Sequence, residues 1–144
     1  MSAMSRRKGA NGERELCAQL HALVGVRFVR RLDQVRSGGH DLEPEANDCS
    51  AAACVLRGFA IEAKRRARIT DADVARWWAE EAVPQAEAVG LVPMLAYRPD
   101  RGSWRVVLPL TALAAGVPAV PATLRLVDAI GVLVGTVPTN PTRS

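Results

Sequence analysis

Cysteine, aromatic residues and long apolar runs are all scarce in this chain. Only 3 of its 144 residues are cysteines and 4% are aromatic, while 49% are hydrophobic. Three thiols cannot all pair, and the polar N-terminus has no apolar signal core, so we expect reduced cysteines. No run approaches the roughly 20 apolar residues that a membrane helix needs. We therefore expect a cytoplasmic protein of one domain, neither secreted and disulfide-rich nor membrane-embedded.

Zinc is the one metal that the cysteines could suggest. Cys49, Cys54 and His40 can be written as ligands. However, the gap between the two cysteines and the missing second ligand pair are atypical of structural zinc sites. We therefore expect these thiols to carry no metal.

Positive charge is concentrated in the first half of the chain. Residues 1–68 carry 13 basic and 8 acidic side chains, whereas the remaining residues carry 6 and 7, for a net charge of +4. A concentrated basic face suits a polyanion, because lysine and arginine displace counterions from phosphates. The alternative is a solvated surface that aids solubility. We expect nucleic acid as the partner, because the basic half also contains the candidate site described next.

Glu62 and Lys64 lie in the most informative stretch of the sequence. The run Phe59–Lys64 predicts a strand, in which side chains alternate between the two faces. Its odd-numbered residues would face the core, while Glu62 and Lys64 would share the other face about 7 Å apart. A carboxylate and an ammonium held side by side can grip a metal ion and a phosphate together. The same triplet is also common on solvated strand faces, so other residues must decide between the two interpretations.

Glu13 is a second candidate site residue. A helix is predicted from Asn11, a favourable N-cap, to about Val24. Glu13 would lie near the centre of its apolar stripe, whereas Glu15 would point away from it. A carboxylate on an inner face costs free energy unless a partner, a metal ion or a water-filled cleft satisfies it. The alternative, an acid favoured in the first helical turn, suits Glu15 better than Glu13.

Asp41 and Glu62 form the minimal pair of carboxylates for a hard divalent cation. Phosphodiester cleavage needs such a cation to neutralise charge and to lower the pKa of a water. Lys64 would orient the attacking water or stabilise the charge that grows in the transition state. Glu13 would bind a second ion or orient a water. Three carboxylates compete with Asp41 for its role: Glu43, Glu45 and Asp48.

Several segments, taken in order, resemble one known family. Lys8–Arg14 is similar to the K-G-x-x-x-E-R opening of archaeal Holliday-junction resolvases and their phage relatives. Ser37–Leu42 followed by Ile61–Lys64 resembles the D…(D/E)-x-K core of the PD-(D/E)xK nuclease superfamily, with His40 where the superfamily name has proline. Segments that resemble phage-borne members follow at Trp77-Trp78, Gln85-Ala86, Pro93–Arg98 and Trp104–Val107.

The resemblance implies an α/β, restriction-endonuclease-like fold with a central mixed β-sheet flanked by helices. It also implies cleavage that depends on Mg²⁺, with Mn²⁺ as a substitute, a 5′-phosphate product and commonly a homodimer. Glu13, Asp41 and Glu62 would be the metal carboxylates, and Lys64 the catalytic lysine. Gln85 would be a helix-borne polar residue of the catalytic site, the alternative being a surface glutamine after a helix break.

Residues expected to bind DNA flank these motifs. For Arg68, a solvated charge run is a real alternative to a contact with DNA. The tryptophans would stack on unpaired bases, although Trp78 is expected in the core and Trp77 on an exposed or dimer-interface surface. DNA contacts are predicted for Arg6, Arg7, Lys8, Arg36, Ser37, His40, Arg65 and Arg66.

The remaining pattern predicts the domain plan. Residues 1–10 would be a flexible basic arm, 11–137 a single nuclease domain and 138–144 a disordered tail. The core would extend to about residue 108, and 109–137 would be an apolar extension that ends in a hairpin or an interface. Further predicted elements are a strand at Ala53–Leu56, a helix from the capping box Thr70–Asp73 to Gly90 that is kinked or restarted at Pro84, and strands at Leu91–Arg98 and Trp104–Leu108.

We therefore predict a metal-dependent endodeoxyribonuclease that hydrolyses phosphodiester bonds, expected in branched DNA and of phage or prophage type. One alternative is a non-catalytic DNA-binding protein that keeps the fold. Its binding would survive loss of the carboxylates. The other is a structural or assembly protein, whose DNA binding would be absent or insensitive to salt.

Overall fold

The computed structural model describes the backbone of residues 3–30 and 41–135 and the side chains of residues 11–30 and 41–135. Helices and strands alternate along the chain, as expected of an α/β protein. The helices are α1 (Ala3–Val24), α2 (Ala51–Leu56), α3 (Asp71–Trp77), α4 (Val83–Val89) and α5 (Leu126–Val134), with a π-helical turn at Trp78–Ala82 and a 3₁₀ turn at Leu110–Ala112. The strands are β1 (Phe28–Arg30), β2 (Leu42–Pro44), β3 (Phe59–Arg66), β4 (Val92–Pro99), β5 (Arg105–Pro109) and β6 (Pro121–Arg125).

The six strands form one sheet in the order β1-β2-β3-β4-β5-β6. Only β3 and β4 are parallel, and every other neighbouring pair is antiparallel. The connection between the parallel strands runs through α3, the π-helical turn and α4, which cover one face of the sheet. Helices α1, α2 and α5 belong to the core on the other face. The predicted mixed sheet flanked by helices is confirmed.

Side-chain alternation along β3 divides the two cores. Ile61 lies in the larger apolar cluster with Leu16, Leu20 and Leu108, on the face covered by α1. Leu95 and Val107 belong to a smaller cluster on the opposite face, with Trp77 and Ala82. Glu62 and Lys64 point to that second face, because successive strand residues alternate. The prediction that they share a face apart from Ile61 is confirmed.

Two predictions about the first half were wrong. Helix α1 begins at Ala3 rather than at Asn11, so the expected flexible arm is helical from residue 3. Alanine, methionine, arginine and lysine in that stretch favour a helix, and no proline interrupts it. The strand expected at Ala53–Leu56 is helix α2. Ser50 caps this helix by accepting the N–H of Ala53 at 3.2 Å, a local signal that outweighs the β-branched Val55.

The C-terminal segment is part of the core rather than a hairpin. Residues 121–125 form β6 and pair with β5, and α5 follows directly. Leu126, Ala129 and Ile130 of α5 are buried in the larger cluster. Their spacing of three and four residues is helical, and a strand pairing would have placed them on both faces. Residues 138–144 lie outside the described residues.

The helix predicted from Thr70 to Gly90 is observed, but the burial of its two tryptophans is the reverse of the prediction. The capping box of Thr70 and Asp73 is present, and Gly90 ends the helix at φ 69°. Trp77, expected to be exposed, is buried with 6% of its surface accessible, whereas Trp78 is half-buried. The helix phase predicted by placing Trp78 on the inner face was therefore off by one residue at Trp77, which lies in α3.

Within residues 3–30 and 41–135, no helix combines the length and apolar character needed to cross a bilayer. The three cysteines, Cys17, Cys49 and Cys54, are all free thiols, as the sequence predicted.

Candidate active site

Asp41 is fixed beside β3 by the pairing of β2 with that strand. Leu42 is opposite Ile61, and the N–H of Asp41 donates to the carbonyl of Ile61 at 2.9 Å. An Asp41 carboxylate oxygen accepts the N–H of Ala63 at 3.0 Å, which brings the side chain next to the part of β3 that carries Glu62. This placement favours Asp41 over Asp48, whose carboxylate instead accepts the N–H of Ser50 before α2.

Asp41 and Glu62 make up a pair of carboxyl groups that resist ionisation. Glu62 is the only fully buried polar or charged residue in the described part of the chain, with 6% exposure. Burial, and then the carboxylate of Asp41, raise the pKa of Glu62 from 4.5 to about 8. Burial also raises the pKa of Asp41 from 3.8 to about 6, with a further contribution from Glu13. Bringing a cation between these groups would relieve both costs.

Lys64 lies on the same face of β3 and touches three side chains. Its ammonium nitrogen donates to Glu81 Oε1 at 2.7 Å and lies 3.5 Å from Glu62 Oε1. The same nitrogen lies 5.6 Å from the ring centre of Trp77, within cation–π range. Only 12% of the lysine side chain is exposed, so its position is set by these neighbours.

Glu81 is a site residue that the sequence prediction missed. It lies in the π-helical turn Trp78–Ala82, which ends two residues before Pro84. Proline has no N–H to donate and its ring collides with the carbonyl four residues earlier, so a wider turn at this point removes the conflict. Helical spacing predicts that Val74, Trp78, Glu81 and Gln85 share one face if the helix continues through Pro84. Glu81 is therefore a polar group on a mainly apolar face, which is the signal that pointed to Gln85.

Gln85 lies on α4, about one helical turn beyond Glu81, and is half-buried. Lys64 forms its helical hydrogen bond with Glu81. The role of Gln85 in the site remains a prediction.

Glu13 borders the carboxylate pair from α1. Its carboxylate pairs with the guanidinium of Arg30 at the end of β1, and its charge contributes to the raised pKa of Asp41. Its neighbour Gly12 packs directly on β3. A Cβ at position 12 would lie 2.5 Å from the Cβ of Arg65, closer than real contacts allow. Helix α1 therefore approaches β3 closely because residue 12 is glycine.

Some basic residues at the end of β3 and on β4 form ion pairs with acidic side chains. Arg65 pairs with Asp100 and lies 3.5 Å from Glu15, and Arg98 also pairs with Glu15. Glu15 was expected to decorate a first helical turn, but α1 starts at Ala3, so Glu15 is mid-helix and binds the sheet. The guanidinium of Arg66 lies 5.8 Å from the ring centre of Trp77.

The predicted DNA contacts of Arg65 and Arg66 stay predictions. The ion pairs of Arg65 disfavour a DNA contact by that residue, because its charge is already paired. For the other predicted DNA-binding residues, the structure describes no side chain: Arg6, Arg7, Lys8, Arg36, Ser37 and His40.

The carboxylate pair suits a divalent cation of the Mg²⁺ type. Such ions prefer oxygen ligands, and Asp41 and Glu62 bring two carboxylates to one buried place. Across the described residues, no group of three or more His, Cys, Asp or Glu side chains is arranged to hold a metal ion. Two carboxylates suffice for Mg²⁺, which commonly takes its other ligands from water and substrate phosphate.

Three comparisons show which known proteins the chain is similar to. A family model described as "Phage putative PDDEXK endonuclease" matches residues 4–124. No curated protein sequence matches the chain. Among solved structures, that of Archaeoglobus fulgidus Hjc, a Holliday junction resolvase from an archaeal hyperthermophile, aligns with 86% of this chain and 96% of its own, at 20% identity and a TM-score of 0.49. Because the family model spans most of the sequence, including every residue of the site, the chain belongs to this phage family of PDDEXK endonucleases.

Proposed function

We propose that the protein is a metal-dependent endodeoxyribonuclease that hydrolyses phosphodiester bonds in branched DNA. One observation carries the proposal: the half-buried carboxyl group of Asp41 and the buried one of Glu62 interact with each other and with the ammonium of Lys64. This set combines oxygen ligands for a hard cation with a fixed positive charge for a phosphate. Membership of a nuclease family supports the same chemistry.

Asp41 and Glu62 would hold Mg²⁺, or Mn²⁺ in its place, through their carboxylate oxygens. When bound, such an ion neutralises phosphate charge and lowers the pKa of a water. Lys64, oriented by Glu81, would donate to the phosphate oxygen that gains charge as the attacking water bonds to phosphorus. Glu13, held by Arg30, would orient a water at the rim of the site.

Branched DNA as the substrate rests on the resemblance of Lys8–Arg14 to the opening motif of resolvases. Resolution of a branch requires cuts in two strands, and a symmetric homodimer with one site in each subunit would serve this purpose. We place the protein in the cytoplasm because its proposed substrate is DNA.

The test is a cleavage assay on four-way, flap, nicked and linear duplex DNA, with Mg²⁺, Mn²⁺ or EDTA. Wild-type protein should cut at least one substrate with either ion and none in EDTA. Lys64→Ala and Asp41→Asn should lose at least about a hundredfold in rate. Two matched controls, Arg76→Gln and Asp128→Asn, remove one cation and one carboxylate from exposed ion pairs and should cut normally.

The proposal fails if wild type cuts none of these substrates, or if Lys64→Ala and Asp41→Asn cut as fast as wild type. DNA binding without cleavage, unchanged in both variants, would instead identify a non-catalytic DNA-binding protein.

A further inference from the structure

A groove runs across the face of the sheet that carries Lys64, away from the carboxylate pair. Three adjoining cavities of about 630, 480 and 530 Å³ compose it. The first and second share Arg101 and Pro99, and the second and third share Tyr97 and Arg105, so the cavities are continuous. We call this the arginine groove, and define it by Arg68, Asp71, Trp78, Tyr97, Arg101 and Arg105.

The arginine groove starts one strand away from the catalytic lysine. Lys64 of β3 is paired in register with Tyr97 of β4, and neighbouring strands lie about 4.8 Å apart. Tyr97 belongs to the apolar cluster on the Lys64 face, together with Trp77 and Trp78. A ligand that contacts Tyr97 would therefore lie on the strand next to the one that carries Lys64.

The charge of the groove is mostly uncompensated. Arg68, Arg101 and Arg105 are exposed, and none of them forms an ion pair with a carboxylate of the described residues. Arg65 and Arg98, by contrast, are paired with acidic side chains. Two acidic residues, Asp71 and Asp100, line the groove, and Asp100 is paired with Arg65. Because Arg65 offsets the charge of Asp100, the three unpaired guanidinium groups outweigh the remaining carboxylate and favour an anionic ligand.

Two aromatic side chains lie among these arginines. Trp78 and Tyr97 are both half-buried and line the same cavity as Arg105. Exposed aromatic rings next to arginines are the arrangement that stacks on unpaired bases while the cations contact the phosphates. A duplex has no unstacked base to offer to such rings.

We propose that the arginine groove binds an unpaired, single-stranded segment of DNA, such as the flap of a branched substrate. Tyr97 and Trp78 stack on bases, and Arg68, Arg101 and Arg105 contact the phosphates that follow. This inference rests on the proposed function, since the bound strand leads to Lys64. A second copy of the chain is a poorer occupant, because a two-fold contact would bring the unpaired arginines of both copies together.

Binding is measured in EDTA, where cleavage cannot interfere, by fluorescence anisotropy of a labelled single-stranded oligothymidylate and of a matched duplex. Wild type should prefer the single strand, and its affinity should fall as salt rises. Trp78→Leu should weaken single-strand binding roughly five- to hundredfold. Arg105→Gln should weaken it and reduce its salt dependence. Arg76→Gln removes an equal charge from the solvent side of α3 and should bind as wild type does.

A photo-cross-link locates the contact without relying on any variant. An oligothymidylate that carries 5-iodouracil should attach to the peptides that contain Trp78 or Tyr97. Attachment confined to other peptides overturns the proposal, as does single-strand binding that is unchanged in both Trp78→Leu and Arg105→Gln. A change of oligomeric state in these variants, with DNA binding unchanged, would assign the groove to a subunit interface and also overturn it.

The two proposals can fail separately. If wild type binds the single strand through the groove but cuts no DNA, the groove stands and the nuclease function fails. If wild type cuts branched DNA while the groove variants bind single strands normally, the nuclease function stands and the groove proposal fails.

Discussion

The ammonium of Lys64 donates to the carboxylate of Glu81 at 2.7 Å, across the interface between β3 and the π-helical turn. Two elements far apart in sequence thereby fix the position of one cation. The distance from the same nitrogen to Glu62 is longer, at 3.5 Å. Glu81 therefore orients Lys64 more closely than Glu62 does.

Glu81→Ala should slow DNA cleavage without weakening DNA binding. The lysine would keep its charge but lose its orientation, and small displacements of a reacting group can cost up to about a hundredfold in rate. We expect a loss of about tenfold or more in single-turnover rate. Glu81→Gln, which keeps a hydrogen-bond acceptor, should retain most of the activity. Glu80→Ala is the matched control, because Glu80 is adjacent and exposed. Equal rates in Glu80→Ala and Glu81→Ala would contradict the orienting role.

Glu62→Gln should stabilise the protein at alkaline pH in the absence of metal. The pKa of Glu62 is raised in the folded state, so the folded protein binds more protons than the unfolded chain between about pH 4.5 and 8. Its free energy of unfolding therefore falls as pH rises through this range. Glutamine cannot ionise, so the variant should gain on the order of a few kcal/mol at pH 8.5.

Urea denaturation at pH 5 and pH 8.5 in EDTA checks this result. The difference between Glu62→Gln and wild type should shrink toward pH 5, where the glutamate is already protonated in the folded state. A variant that is less stable than wild type at both pH values would contradict the raised pKa.

Mg²⁺ should raise the melting temperature of the wild-type protein, and more strongly at pH 8 than at pH 6. Binding to the folded state alone stabilises it, and the carboxyl groups of Asp41 and Glu62 must lose their protons to bind. We expect a shift of about 3 °C or more at saturating ion. Asp41→Asn should abolish the shift, whereas Asp128→Asn should preserve it. Equal shifts in the two variants would place the ion elsewhere.

Gly12→Ala should destabilise the protein although alanine is the better helix former. Propensity alone predicts a gain of about 1 kcal/mol at a helical position. The added methyl group would meet the Cβ of Arg65 at 2.5 Å and push α1 away from β3, at a cost of about 1–3 kcal/mol. Denaturant unfolding should therefore show a net loss of stability. Ala18→Gly, at an exposed position of α1, calibrates the propensity term alone. A net gain for Gly12→Ala would show that the helix can shift freely.

The sequence was sufficient to predict the catalytic strand and its neighbours. Alternation at Phe59–Lys64 is a local property of a strand, and the capping box at Thr70 and the stop at Gly90 are local too. The association of Asp41 with Glu62 was predicted from the carboxylates that phosphodiester cleavage needs and from family resemblance. Physically it depends on the register of β2 against β3, which no local pattern specifies.

Other features required the three-dimensional structure. The contact of Glu81 with Lys64 and the burial of Trp77 both depend on how the helical segment that carries them packs against the sheet, which no local pattern specifies. Valine and leucine dominate the segment of α5, and this composition predicted a β-strand. The packing of Ile130 and its neighbours in the core stabilises a helix there instead. The ion pairs of Arg65 join residues that lie far apart in the chain.

The position of β3 within the sheet determines which unfolding events can disrupt the site. This strand is paired with β4 along its full length and is flanked by apolar clusters on both faces. The amide protons of β3 that are bonded to β4 should therefore exchange with solvent only when the whole domain opens cooperatively, whereas those near the ends of α1 and α5 exchange through fraying. Glu62 and Lys64 should consequently keep their positions for as long as the domain stays folded. An inhibitor that acts by local unfolding would have to unfold the surrounding helices instead.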